Sequence, residues 1–311
     1  MKGLIWNVRG IGSDSKKSFI RSSIGERKID LVGLQETIKS DFSKNELNNL
    51  SGGRNFEWHW IQPRGRAGGI LVGINKDTLE ITNVEKGVYF IRTLLHDKKA
   101  KFDWNLIIVY GDAQEVGKAA YMAEISRMYQ NNASVPCLMG GDFNVIRKST
   151  DKNKPGGYNH WSFVFNAIIE QAGLRELPLG GRKHTWANNQ SDPTYEKLDR
   201  VLLCPDWEEH YPLTTVQALE RELSDHTPLY ISSGEKPKIP YMFKFGNCWF
   251  QRADRDDVVR KVWGKRFMGW KTMDQMHGRL VEIKRVLKGW NWNIEVVYKK
   301  HKRNLIEDLI I

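Results

Sequence analysis

Hydrophobic and polar positions follow two spacings along the first three quarters of the chain. Leu4–Val8 and Asp30–Gln35 are short apolar runs that suit buried strands. The polar stretch between them, Ser15–Arg27, carries apolar residues at helical spacing. Gly69–Ile74, Val88–Leu95 and Asn105–Tyr110 are rich in Val, Ile and aromatic residues, as strands prefer. Glu115–Asn131 predicts a helix with Tyr121, Ile125 and Met128 on one face, and Trp161–Ala172 a second amphipathic helix. Val135–Gly140 predicts a strand running into a glycine pair. Leu198–Leu203, Thr215–Leu219 and Thr227–Ser232 predict three more short strands. Many strands with interspersed helices predict an α/β or α+β fold, with two sheets and outer helices. The spacing leaves the topology open. No repeat with a period of about 20–50 residues interrupts the pattern.

The texture changes at Gly234–Pro240, where two prolines and three charges mark a linker. The boundary divides the chain into a 1–233 domain and a 234–311 segment. Apolar residues at three- and four-residue spacing predict helices over Asp254–Trp263 and Met273–Trp290. Charge divides at the same place. The whole chain carries 48 basic and 37 acidic residues, net +11; from Gly234 onward there are 18 basic and nine acidic. The basic excess therefore sits in the tail. It points to a polyanionic partner, with a solvated helical surface as the plainer alternative. Trp249, Trp263, Trp270, Trp290 and Trp292 suit a small helical core or a partner surface, and less readily a base-stacking one.

Composition narrows the class. With 40% hydrophobic and 27% charged residues over 311 positions, the chain is globular and long enough to bury a large core. No stretch reaches the roughly 18 apolar residues of a membrane span, so no membrane association is expected. The N-terminal apolar run is cut by Arg9, unlike a signal peptide. The three cysteines, Cys137, Cys204 and Cys248, show neither disulfide-framework nor zinc spacing. A nuclear or cytoplasmic protein is expected, not a secreted one.

Candidate chemistry lies at strand ends. Asn7 follows Leu4–Trp6, Gln35-Glu36-Thr37 ends the second strand, and Tyr110 ends Leu106–Val109. Asp142-Phe143-Asn144 follows Gly140-Gly141, Asp199 lies within Leu198–Leu202, and Ser224-Asp225-His226 precedes the last strand. Each has an ordinary structural explanation: a turn for Asp142 and Asn144, a helix-terminal acid for Glu36, an arginine partner for Asp199, a hydrogen-bonded core imidazole for His226. The combination outweighs these explanations, because polar strand ends converge on one edge of a sheet scaffold.

In order, these motifs resemble the endonuclease/exonuclease/phosphatase superfamily. Within it, the chain resembles the apurinic-type endonuclease domain of plant non-LTR (LINE-type) retrotransposons. The likeness runs through Trp6-Asn7-Val8-Arg9-Gly10, Leu34-Gln35-Glu36-Thr37, Gly68–Val72, Val109-Tyr110-Gly111 and Gly141-Asp142-Phe143-Asn144. It continues through Lys154–Gly157, His184–Asn188, Leu198–Val201 and Leu223-Ser224-Asp225-His226, and so covers residues 1–233. Phe243-Lys244-Phe245, Trp249, Val258-Val259, Trp263 and Leu287–Asn291 resemble the segment joining such a domain to a reverse transcriptase, so a fused reverse transcriptase in a longer parent protein is an implied partner. Two positions depart from the pattern. Asp112 stands where a proline is usual, and His184 where an aromatic residue usually precedes Thr-Trp.

The resemblance implies a four-layer α/β/β/α sandwich of two packed, mostly antiparallel sheets, followed here by the basic helical tail. It implies Mg²⁺, with Mn²⁺ as the substitute, held by Glu36 and by Asp225, directly or through water. Asn7 would orient Glu36 or the metal's waters. Asp142 would orient or deprotonate the attacking water, and Asn144 would hold a phosphate oxygen. His226 would contact the scissile phosphate while Asp199 fixes its tautomer, and Tyr110 would present its hydroxyl to the phosphate or leaving group. Whether Asp142 or His226 is the base stays open. DNA is the implied partner. Arg64, Arg66, Arg182 and Lys183 are candidate backbone contacts, with solvated surface as the alternative. Trp186 is a candidate wedge against a distorted nucleotide, with a core position as the alternative. Two other functions compete: a non-catalytic nucleic-acid-binding remnant, and a phosphatase or phosphodiesterase of the same superfamily.

Overall fold

Two sheets form because the strand-forming segments are apolar on one or both faces and must bury them. The computed structural model describes residues 1–64, 67–132, 134–234, 254–265, 275–276 and 278–287. The chain runs through β1 (Lys2–Asn7), α1 (Asp14–Arg27), β2 (Leu31–Gln35), α2 (Lys44–Ser51), β3 (Phe56–Arg64) and β4 (Ala67–Asn75). It continues with β5 (Leu79–Lys86), β6 (Phe90–Asp97), β7 (Phe102–Tyr110), α3 (Glu115–Asn131), β8 (Cys137–Asp142) and α4 (His160–Gln171). Short strands β9 (Arg175–Glu176), β10 (Leu179–Gly180), β11 (Trp186–Ala187) and β12 (Tyr195–Glu196) lead to β13 (Asp199–Leu203) and α5 (Pro205–His210). Next come β14 (Thr215–Ala218) and β15 (Leu229–Ser232).

The first sheet has the order β10-β14-β15-β1-β2-β4-β3, and the second β5-β6-β7-β8-β13-β9. Most neighbours are antiparallel; β1–β2, β10–β14 and β7–β8 are parallel. The expected sandwich of two mostly antiparallel sheets is therefore present.

Alternation along the strands builds the layers. On the outer face of the first sheet, Leu4, Trp6, Val32, Leu34 and Leu71 pack with Ile20 and Ile24 of α1 and Leu50 of α2. On its inner face, Ile5, Leu31, Ile70, Val72 and Ile74 join a larger core shared with the second sheet. That core also takes in Tyr121 and Ile125 of α3, Phe165 and Ile169 of α4, and Trp207 of α5. Two glycines let the sheets approach. A Cβ on Gly33 would lie 2.5 Å from Ile108 Cδ1, and one on Gly140 would lie 2.5 Å from Ile5 Cδ1.

The chain divides into two compact units, Met1–Lys236 and Pro237–Ile311. In the second, α6 (Arg255–Trp263) occupies the predicted Asp254–Trp263 segment. Residues 278–287 are helical within the predicted Met273–Trp290 segment. The remaining predicted features of the tail, including Trp249, Trp270, Trp290 and Trp292, fall outside the described residues, as does Arg66. Among the described residues no helix is long and apolar enough to cross a membrane.

Candidate active site

Inward-facing side chains change from apolar to polar at one level of the sandwich. Side chains two apart on a strand share a face. Asn7 therefore shares the inner face with Ile5, Tyr110 with Ile108, Asp142 with Gly140, and Asp199 with Val201. Strand register brings these ends together: Tyr110 pairs with Asp142, Asp142 with Asp199, and Asn7 with Gln35. Glu36 is the first residue beyond β2, and Asp225 and His226 lie just before β15, which pairs with β1. The apolar core thus ends in a polar rung contributed by both sheets.

Asn7 is the link between the sheets. Its Nδ2 donates to Asp142 Oδ2 at 2.8 Å and to Glu36 Oε2 at 3.2 Å, and lies 3.5 Å from His226 Nε2. The His226 ring sits between two carboxylates, with Nδ1 2.9 Å from Asp199 Oδ2 and Nε2 3.7 Å from Asp142 Oδ2. Asp142, Asp199 and His226 are all buried. Burial alone would lower the imidazole pKa, but the Asp199 and Asp142 charges overcome it and hold His226 above its ordinary value. Burial, reinforced by Asp199, pushes Asp142 up against the opposing effects of His226 and Asn7. Burial, with Glu36 and Asp142 nearby, raises Tyr110 far above the usual phenol range.

The remaining predicted residues divide. Asn144 turns away at φ +51°; its backbone N–H donates to Asp142 Oδ1 at 2.9 Å and its amide to Gly111 O at 2.8 Å. One donor of its amide thus shapes the turn below Asp142. Asp225 accepts from the Arg9 guanidinium and, at 3.1 Å, from Trp186 Nε1. Trp186 is therefore tied to the site by its indole N–H, half-buried, with its residue bridged to His226. Arg182 and Lys183 are exposed. Arg64 is exposed and lines a cleft of about 300 Å³ with Gly68, Gly69, Tyr89, Tyr110 and Asp112. Asp112, the departure from the family pattern, accepts from the Tyr89 hydroxyl at 3.2 Å and from Gln114 N–H at 2.8 Å.

Several supporting residues carried no role in the sequence argument, although most lie inside its motifs. Thr185 Oγ1 accepts from the backbone N–H of Leu198 and Asp199 at 3.1 and 3.0 Å. Ser224 Oγ donates to Asn7 O at 2.9 Å and accepts from His226 N–H at 3.2 Å. Lys118 Nζ, reaching in from α3, donates to the carbonyls of Asp112 and Asn144 at 2.9 Å each. Arg9 at φ +44°, Glu36 at +51° and Ile38 at +50° hold left-handed backbone in the two loops beside the site. Such strain costs on the order of 1–3 kcal/mol per residue and gathers at functional sites.

The donor set fits a hard divalent cation. Carboxylate and amide oxygens dominate, as Mg²⁺ requires. Asp142, Asp199 and His226 offer ligand atoms within 4.8 Å of one another, and Asp199 Oδ1 is buried without a hydrogen-bond partner. Both nitrogens of His226 already face carboxylates, which suits a protonated ring better than a metal ligand. Glu36, half-buried at the rim and steadied by Asn7, is the freer carboxylate.

The sequence profile of the Endonuclease/Exonuclease/phosphatase family matches residues 4–226. Among solved structures, a single-residue variant of the 3′ phosphatase NExo from Neisseria, bound to a product DNA hairpin, is similar with a TM-score of 0.60 at 16% identity, covering 75% of this chain and 98% of that one. An AP endonuclease from Archaeoglobus fulgidus is similar with a TM-score of 0.57 at 16% identity, covering 75% and 98%. The endonuclease domain of TRAS1, a telomere-specific non-LTR retrotransposon, is similar with a TM-score of 0.55 at 13% identity, covering 74% and 97%. At these identities the likeness is one of fold. No curated protein matches the chain.

Proposed function

This chain belongs to the endonuclease/exonuclease/phosphatase family, hydrolases of phosphoester bonds, and from that premise we propose that it is a Mg²⁺-dependent endonuclease that nicks DNA and leaves a 3′-hydroxyl. The observation that carries the proposal is the buried Asp142–His226–Asp199 row, joined through Asn7 to Glu36 across the two sheets.

The residues suit in-line attack of water on a phosphodiester. Asp142, held by Asn7 and by the Asn144 N–H, takes the proton of the attacking water. His226 lies between two carboxylates and keeps its proton, so it donates to a non-bridging phosphate oxygen. Asp199 keeps the ring in position through Nδ1. Tyr110 retains its hydroxyl proton and gives a hydrogen bond to the leaving O3′ as the P–O3′ bond breaks, and O3′ takes its proton from solvent water. Glu36 would hold the Mg²⁺, whose chemistry is charge neutralisation at the phosphate.

DNA as substrate is supported by the resemblance to retrotransposon endonucleases and by the basic tail, with 18 basic against nine acidic residues from Gly234 onward. Arg64, Arg182 and Lys183 remain the proposed backbone contacts, joined by Arg66, and Trp186 the proposed contact with a distorted nucleotide. In a longer parent protein, of the plant LINE type, the nick would prime reverse transcription.

The test is conversion of supercoiled plasmid to open circle. Nicking should require Mg²⁺ and stop with EDTA, and Glu36→Ala or His226→Ala should each lower the rate by about 10³-fold or more. A variant that nicks as fast as the parent protein would remove the assignment. Binding without any nicking would favour the non-catalytic remnant. Faster release of phosphate from a 3′-phosphorylated strand, or from an inositol phosphate, would favour the phosphatase.

A further inference from the structure

We propose that Arg9 supplies the second positive charge of this centre, so that the site takes one divalent ion, at Glu36, and Asp225 takes none. The proposal rests on the metal-dependent hydrolase reading above and concerns the chain's own cation. The family resemblance implies a metal-ligand role for Asp225, yet the Oδ2 atom of its carboxylate already holds two protein donors. Oδ2 accepts from both the Arg9 guanidinium and Trp186 Nε1, and Oδ1 lies 3.4 Å from Ser224 Oγ. An ion bound directly through Oδ2 would have to displace a guanidinium and an indole N–H from that oxygen.

The guanidinium is held there by its loop. Arg9 N–H donates to Asn7 Oδ1 at 3.0 Å, and Gly10 N–H donates to Glu36 O at 2.7 Å. Lys16 Nζ, from the first turn of α1, donates to the carbonyls of Arg9 and Gly10 at 3.1 Å each. The loop therefore ties Arg9 to the same two residues, Asn7 and Glu36, that form the ion-holding side of the site. The Asp225 side chain is only 4% exposed, whereas that of Arg9 is 61% exposed. Arg9 thus caps a buried carboxylate and presents its outer face to solvent. Asp225 and Glu36 carry two negative charges; Arg9 and Lys16 lie among them and return two positive ones. A phosphate bound between Glu36 and His226 would meet one ion and one guanidinium. In this arrangement Asp225 is a positioning residue, which aims Arg9 and Trp186.

Mn²⁺ binding to the full chain, followed by titration calorimetry and by loss of the free-ion paramagnetic resonance signal, tests the proposal apart from activity. The parent protein should bind one Mn²⁺. Glu36→Gln should weaken that binding tenfold or more, and Asp225→Asn should change it less than about threefold. Arg9→Ser, at an exposed side chain, should free Asp225 and admit a second ion. Two ions in the parent protein, a tenfold loss in Asp225→Asn, or an unchanged single site in Arg9→Ser would each overturn it. If the parent protein nicks DNA but any of those three results is found, only this inference fails. If it neither binds Mn²⁺ nor nicks, the hydrolase reading falls and this inference with it.

Discussion

In the proposed reaction Asp199 acts on the substrate only through His226, and that makes it a sensitive probe of the site. It is buried, its backbone N–H is anchored on Thr185 Oγ1, and one carboxylate oxygen holds His226 Nδ1 at 2.9 Å. Replacing the carboxylate with a neutral amide keeps the shape and removes the charge that stabilises an imidazolium. Asp199→Asn should lower single-turnover nicking by roughly 10²–10⁴-fold. DNA affinity, measured by fluorescence anisotropy, should stay within about twofold. A comparable loss of affinity would show that Asp199 mainly supports the fold. At this scale the sequence was informative where a polar residue follows an apolar run, because strand periodicity decides which face it shares. It was silent on Thr185, Ser224 and Arg9, whose roles come from partners 14, 217 and 216 residues away, Asp199, Asn7 and Asp225. The implied ligand role of Asp225 is the reading that the proposal for Arg9 would revise.

The element that carries Asp199 is clamped from its other face. Arg200, 2% exposed, donates to Glu176 Oε1 at 2.9 Å and Asp151 Oδ2 at 2.7 Å, and Arg147 and Lys197 also pair with Glu176. Burial alone would raise the Glu176 pKa, but Arg200, Lys197 and Arg147 outweigh it and hold the carboxyl at about 2, against an ordinary 4.5. A depressed carboxyl pKa stabilises the fold above the unfolded-state value and loses that contribution as pH falls towards the folded one. Glu176→Gln should therefore cost on the order of 3 kcal/mol near neutral pH. Denaturant titrations should show the gap from the parent protein narrowing between about pH 4.5 and pH 2. A gap that stayed constant with pH would mean that the pairs carry no net stabilisation. The central strands were legible because both faces are buried. β3 and β5 each edge a sheet and are half-exposed; both were missed although Phe56–Trp60 and Leu79–Thr82 alternate apolar and polar residues, a readable strand signal. α2 is polar and short, yet its Ser43–Glu46 capping box was a readable signal. β8 begins at Cys137, two residues later than predicted, because Pro136 has no N–H to give the ladder.

For the whole molecule, net charge sets how the protein meets a polyanion. Met1–Lys236 forms one compact unit and most of the basic excess lies beyond it. DNA binding by the full chain should weaken with salt along a log–log line. A chain ending at Lys236 should give a slope shallower by about 1.8 or more, the value of two lost phosphate contacts. Equal slopes would place all backbone contacts in the first unit and leave the tail to another role. The same division of labour holds between sequence and structure. Strand and helix periods and the ordered motifs were determined by the sequence, because they depend on neighbours a few residues apart. Which polar ends meet was decided by register and by the close approach of the sheets at Gly33 and Gly140. Only that packing sets Asn7 between Glu36 and Asp142, and only the folded loop puts Arg9 on Asp225, because hydrogen bonds across 29, 135 and 216 residues leave no local spacing to read.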